Sequence, residues 1–114
     1  AIRVPTPNVS LAVISLRVEK NDLTKEGVNE FLRKTAFNSK YREIIGFVNS
    51  TEIVSSDFYS SPFASVIDSQ ATIVSDNMIT LYCWYDNEYG YSVQVVNLVK
   101  NIAGIDLVRL PVKI

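Results

Sequence analysis

Two segments of this 114-residue chain hold side chains whose types and spacing could do chemistry. One is Trp84-Tyr85-Asp86-Asn87-Glu88-Tyr89-Gly90-Tyr91-Ser92, a strand end running through polar residues to a glycine and a helix start. The side-chain amide of Asn87 offers a donor and an acceptor together, so at a rigid corner it could read a ligand amide in one orientation. A plainer reading has Asp86 and Asn87 capping the helix while the aromatics fill core, and composition alone favours it. The other segment is Ile2-Arg3-Val4-Pro5-Thr6-Pro7-Asn8. Arg3 is a lone guanidinium on a proline-stiffened stretch, with the Thr6 hydroxyl close by in sequence. Its planar fork of donors suits phosphate oxygens, although a single arginine is more often a surface or ion-pair residue.

Other chemistries are excluded by what the chain lacks. It has no histidine, which removes imidazole bases, histidine-based zinc sites and a Ser-His-Asp arrangement. Its one cysteine, Cys83, allows no intrachain disulfide and no paired-cysteine metal site, and suits a reducing compartment such as the cytoplasm. Cys83 lies between Tyr82 and Trp84 in an apolar run, where a buried, inert thiol is expected rather than a nucleophile. Gly90 is isolated, and no G-x-G-x-x-G is present to cradle a pyrophosphate. Eleven Lys and Arg against twelve Asp and Glu give a net charge of −1, so no global field favours nucleic acid or an anionic membrane. The tyrosines around Trp84 lack an interleaved basic patch, and core or domain-interface packing suits them better than base stacking. Asp57 and Asp68 show no spacing that would make a carboxylate pair. The apolar runs at 11–14 and 81–85 fall far short of the ~20 residues that span a bilayer, and no signal peptide opens the chain.

The elements that must position these residues follow from periodicity and turn chemistry. The Val-, Ile- and Leu-rich stretch 8–18 predicts a strand buried on both faces or nearly so. Several N-cap side chains at 21–24 precede a helical pattern through Val28, Phe31, Leu32 and Thr35, so a helix is expected over 24–36. Glu26 and Glu30, with Lys25, Arg33 and Lys34, form its solvated face. A short helical turn is expected near 39–44 and a short strand over 53–58. A run at 65–68 leads into 71–74, and Ser75-Asp76-Asn77 turns the chain into 78–85, making a hairpin. The last helix runs from 90 or 92 to 103 with Tyr91, Val95, Val99 and Ile102 along one stripe, and Gly104 stands where a left-handed cap is wanted. The order β-α-β-β-β-α indicates an α+β fold, with a largely antiparallel or mixed sheet and helices packed on one face.

Taken together, three segments carry a resemblance. Arg3-Val4-Pro5-Thr6-Pro7-Asn8-Val9-Ser10, then Val54-Ser55-Ser56-Asp57-Phe58, then the run from Trp84 to Ser92 occur in the order found in glyceraldehyde-3-phosphate dehydrogenases. Residues 1–104 resemble part of that family's C-terminal substrate domain, about half of it, and 105–114 resemble the C-terminal extension of longer bacterial forms. The family oxidises glyceraldehyde 3-phosphate through a cysteine thiohemiacetal, passes hydride to NAD, and releases the acyl group to inorganic phosphate as an acyl phosphate. The resemblance implies that Arg3 binds inorganic phosphate or the substrate phosphate. It also implies that Asn87 bonds the nicotinamide carboxamide and that Tyr91 stands beside the nicotinamide, with Glu88 a polar neighbour. NADP is open as well as NAD, because the ribose-reading residue belongs to the dinucleotide-binding part. The family's cysteine motif and its histidine have no counterpart here, so no catalytic residue and no metal ligand is expected in this chain. The Ser60-Ser61-Pro62-Phe63-Ala64-Ser65 stretch departs from relatives that carry a basic or imidazole side chain shortly before Ser65. Expected partners are the N-terminal dinucleotide-binding part of a longer protein and further copies in a homo-tetramer, with neither nucleic acid nor membrane. An erythrose-4-phosphate dehydrogenase is a close alternative, but its motif has Cys and Trp where Tyr85 and Tyr89 stand. A non-catalytic interaction domain is the alternative from another class.

Overall fold

The computed structural model describes residues 3–5, 8–52, 55–58 and 60–105. Strand β5 (Met78–Tyr85) is the central element. Along its whole length it pairs antiparallel with β1 (Ser10–Arg17), Ser10 opposite Tyr85 and Arg17 opposite Met78. Its other side meets β3 (Ser65–Asp68) through Trp84 and Cys83, and β4 (Ile73–Ser75) through Thr80 to Met78, both antiparallel. Beyond β3, β2 (Ile45–Val48) pairs parallel with it. The five-stranded sheet is therefore mixed, ordered β1-β5-β3-β2 with β4 on β5. With its two helices it is the α+β architecture that the element order indicated.

Helix α1 (Lys25–Asn38) begins where Thr24, in extended conformation, accepts the Gly27 amide at 3.0 Å. Val28, Leu32 and Ala36 recur every four residues and turn one stripe inward. Opposite them Arg33 donates two bonds to Glu30 at 2.9 and 2.8 Å, and Lys34 lies 3.7 Å from the same carboxylate. Lys25 leaves that solvated face and donates to the Gln70 carbonyl, tying the helix start to the loop after β3. The core joins Val28 to Ile67, Ile79, Leu81 and Cys83. The last three alternate along β5 and so share its helix-covered face. On the other face Trp84 stacks on Phe58 with ring centroids 5.3 Å apart. Beyond that pair, Leu11, Val13 and Ile73 stand exposed.

Two expectations need correction. The strand at 8–18 is not buried on both faces: β1 is the outermost strand of the sheet and Val13 is 56% exposed. Over 53–58 the described residues make a 3-10 turn, Ser55–Phe58, rather than a strand, while Ile53 and Val54 lie outside the described residues. Residues 39–44 form the short turn expected there, Arg42 donating to Ser39 and both Ile44 and Ile45 donating to Tyr41. They deliver the chain into β2, a strand the periodicity did not show. The 65–85 hairpin forms as expected, except that Ser69–Ala71 is a 3-10 turn and β4 is confined to three residues.

Helix α2 (Gly90–Ile102) ends in a double closure: Gly104, at φ +70°, donates to Asn101 and Ile105 donates to Lys100. Gly90 is its single buried residue. The Tyr91, Val95, Val99 and Ile102 stripe points away from the described residues, with Ile102 77% exposed. Residues 106–114, the expected extension, lie outside the described residues.

Candidate functional site

Where β5 ends, Asp86 is only 3% exposed, and among the described residues no cation faces it. Backbone and amide donors satisfy it instead. Oδ1 accepts the amides of Glu88 at 2.9 Å and Tyr89 at 3.1 Å, and Oδ2 accepts the amide of Ser60 at 2.9 Å. The Asn8 side-chain amide lies 3.4 and 3.5 Å from the two oxygens. These donors, the Ser60 amide foremost, hold the carboxyl below its ordinary range against the opposing effect of burial. Asn8 in turn accepts its neighbour's amide, Val9, at 2.8 Å. Val9, at φ 75°, and Ser60, at φ 59°, both occupy the left-handed region that L residues rarely adopt. For the β-branched Val9 the cost is greatest.

Helix α2 is seated on the same corner. A Cβ on Gly90 would come within 2.6 Å of the Phe63 carbonyl oxygen, so only glycine permits the 60–64 loop to approach this closely. Gln94 completes the contact by donating to the Pro62 carbonyl at 3.0 Å. The loop that departs from the dehydrogenase pattern thus packs on the first turns of α2.

The residues singled out from sequence divide as follows. Asn87 is exposed at the corner and does not cap the helix; its amide donates to the Ser10 hydroxyl at 3.3 Å. Asp86, one position earlier, closes the turn that leads into α2, while Tyr89, the N-cap residue itself, makes no side-chain cap bond. Arg3 is exposed five positions before Asn8, and no contact between Arg3 and Asn87 occurs among the described residues. Asn8 and Ser10 nevertheless fasten the segment that follows Arg3 to Asp86 and Asn87. Tyr91 lies on the first turn of α2, 72% exposed. Thr6 is outside the described residues. Cys83 is 5% exposed, and burial pushes its thiol up, only partly opposed by a bond with Ser65. It is a buried core thiol, as its neighbours in sequence suggested. Sequence reasoning missed Asp86 as the organising group and gave Asn8 no role. The signal available was an amide and a carboxylate within the two chemical segments, but nothing local says that they meet.

Comparison with known proteins bears on this corner directly. Residues 1–87, from before Arg3 through Asn87, match the model of the glyceraldehyde 3-phosphate dehydrogenase C-terminal domain. The chain belongs to that family. A glyceraldehyde-3-phosphate dehydrogenase-like protein of Pseudomonas aeruginosa is 50% identical over 111 residues, which is 97% of this chain and 24% of the relative. The chloroplastic glyceraldehyde-3-phosphate dehydrogenase GAPB of Arabidopsis thaliana is 46% identical over 104 residues, 90% of this chain and 23% of its own length. The glyceraldehyde-3-phosphate dehydrogenase of Borreliella burgdorferi is 36% identical over 103 residues, 90% of this chain and 30% of its own length. The chain therefore spans about a quarter to a third of these dehydrogenases.

Proposed function

We propose that this chain is the part of a phosphorylating glyceraldehyde-3-phosphate dehydrogenase that supplies one phosphate-binding and one nicotinamide-binding side chain. The observation that carries the reading is the corner itself, where the segment following Arg3 and the Asn87 turn are tied together. Arg3 presents an exposed guanidinium, the group best matched to the oxygens of inorganic phosphate or of glyceraldehyde 3-phosphate. The exposed amide of Asn87 fits a primary carboxamide, a donor facing an acceptor and an acceptor facing a donor. Tyr91 offers an exposed ring one helical turn on, suited to lie beside the nicotinamide. Bound NAD, or NADP, supplies the hydride acceptor. Asn87 fixes which way that ring faces, and Arg3 holds the phosphate. The nucleophile, the base and the pyrophosphate cradle come from the rest of the protein.

The exposed α2 stripe supports an N-terminal dinucleotide-binding part as its cover, and the open sheet face with Leu11 and Val13 supports contact with further copies in a homo-tetramer. The test is Arg3→Ala in the full-length dehydrogenase. Charge-assisted hydrogen bonds contribute roughly 1.5–3 kcal/mol, so KM for inorganic phosphate, or for the phosphorylated aldehyde, is expected to rise on the order of ten- to a hundredfold. NAD affinity should change far less. A fall in thermal stability with unaltered phosphate kinetics would make Arg3 a structural residue.

A further inference from the structure

We propose that Asp86 is a positioning residue: its buried carboxylate locks the Asn87 turn to the Asn8–Ser10 segment, and so helps set the relation between the nicotinamide subsite and the stretch of chain that leads back in sequence to Arg3. The inference rests on the roles proposed above for Arg3 and Asn87.

Closing the turn before α2 would need only the Glu88 and Tyr89 amides, and a neutral serine or asparagine could accept those. Asp86 does more. Its second oxygen takes the Ser60 amide, 26 positions earlier, and the pair of oxygens receives the Asn8 amide, 78 positions earlier. Only a carboxylate offers acceptors on both sides with no donor of its own. The bonds also fall where the backbone is strained. Two of the three non-glycine residues with positive φ among the described residues hang on this carboxylate, Ser60 directly and Val9 through Asn8. Strained backbone persists only where its surroundings over-determine it. Here the surroundings converge on one side chain, with Asn8 on one side of Val9 and the Ser10 hydroxyl that holds Asn87 on the other. Neither Arg3 nor Asn87 touches Asp86's carboxylate in the described residues, so its influence on both runs through Asn8 and through the turn.

The decisive variant is Asp86→Asn in the full-length dehydrogenase. It preserves shape, and the single remaining acceptor can keep the Glu88 and Tyr89 amides while an NH2 now confronts Ser60 and Asn8. The readouts are equilibrium titrations of inorganic phosphate and of NAD, amide exchange at Ser60, and melting temperature. Both dissociation constants should rise together, each about three- to tenfold, the scale of one or two lost hydrogen bonds, and the Ser60 amide should exchange faster. Asn8→Ala removes the link from Asp86 to the 8–10 segment, along with Asn8's own bond to the Val9 amide, and leaves the Asn87 turn intact, so phosphate binding should weaken while NAD binding holds. Arg3→Ala and Asn87→Ala run alongside. If those two weaken phosphate and NAD respectively while Asp86→Asn lowers the melting temperature alone, the positioning role is overturned and the proposed function stands. If neither moves its ligand, the proposed function fails and the positioning role with it. Should Asp86→Asn not fold, Asn8→Ala decides: weakened phosphate binding with NAD binding intact supports the role, and unchanged phosphate binding overturns it.

Discussion

At residue scale, Asp86 and Asn87 are neighbours that divide one piece of work. Asp86 turns inward and spends its oxygens on backbone amides and the Asn8 side chain, whereas Asn87 stays exposed and donates to the Ser10 hydroxyl. Residue type alone made Asn87 and Arg3 legible, because an amide and a guanidinium each have few chemical uses. The same reasoning saw in Asp86 no more than a cap and was blind to its meeting with Asn8, which spans 78 positions and follows from the β1–β5 register rather than from any local pattern. If Asn87 reads a carboxamide, Asn87→Ala in the full-length enzyme removes a contact worth about 0.5–1.5 kcal/mol net. NAD should bind about two- to tenfold more weakly, and hydride should be delivered to both faces of the ring. Deuterium tracing of the reduced cofactor measures this, and retained single-face transfer at parental affinity would take Asn87 out of the site.

At the scale of elements, α1, β5, the β4–β5 hairpin and α2 were readable because each carries its own signal: a set of N-cap side chains, an apolar run, a polar turn, a glycine stop. β2 was not. Ile45-Gly46-Phe47-Val48 is short, contains a glycine and shows no alternation, and its pairing is parallel, so its partner is set by topology rather than by a turn. The strand was sought instead at 53–58, where Ser55–Phe58 is a 3-10 turn; serine and aspartate are residue types that favour turns over strand pairing. Gly90 shows how one element is seated on another. In an ordinary helix Gly→Ala is stabilising by roughly 0.5–1 kcal/mol. At position 90 the new methyl meets the Phe63 carbonyl at 2.6 Å, and the loop must retreat. Gly90→Ala should therefore destabilise the protein by about 1–3 kcal/mol, the usual scale of overpacking. Chemical denaturation gives the sign, and a stabilised variant would show that the 60–64 loop does not press on the helix.

At the scale of the molecule, what the described residues leave uncovered matters most. Tyr91, Val95, Val99 and Ile102 on α2, together with Leu11 and Val13 on the sheet, are exposed apolar side chains on two separate surfaces. Contiguous apolar exposure of that kind drives association. The 114-residue chain expressed alone should sediment as oligomers or aggregate, and should form no NADH from glyceraldehyde 3-phosphate and phosphate. Sedimentation and absorbance at the reduced-cofactor band check both. A monodisperse monomer would remove the need for a cover, and turnover would show that the nucleophile and base had been wrongly assigned to the rest of the protein. The sheet also imposes an order of events in time. The partners of β1 lie between 61 positions downstream, at Arg17 and Met78, and 75, at Ser10 and Tyr85. At a synthesis rate of about 5–20 residues per second, β1 waits roughly 3–15 s after leaving the ribosome before β5 exists to receive it. During that interval its run of valine, leucine and isoleucine has no native strand to pair with, and neither Asn8 nor Ser10 has a corner to hold.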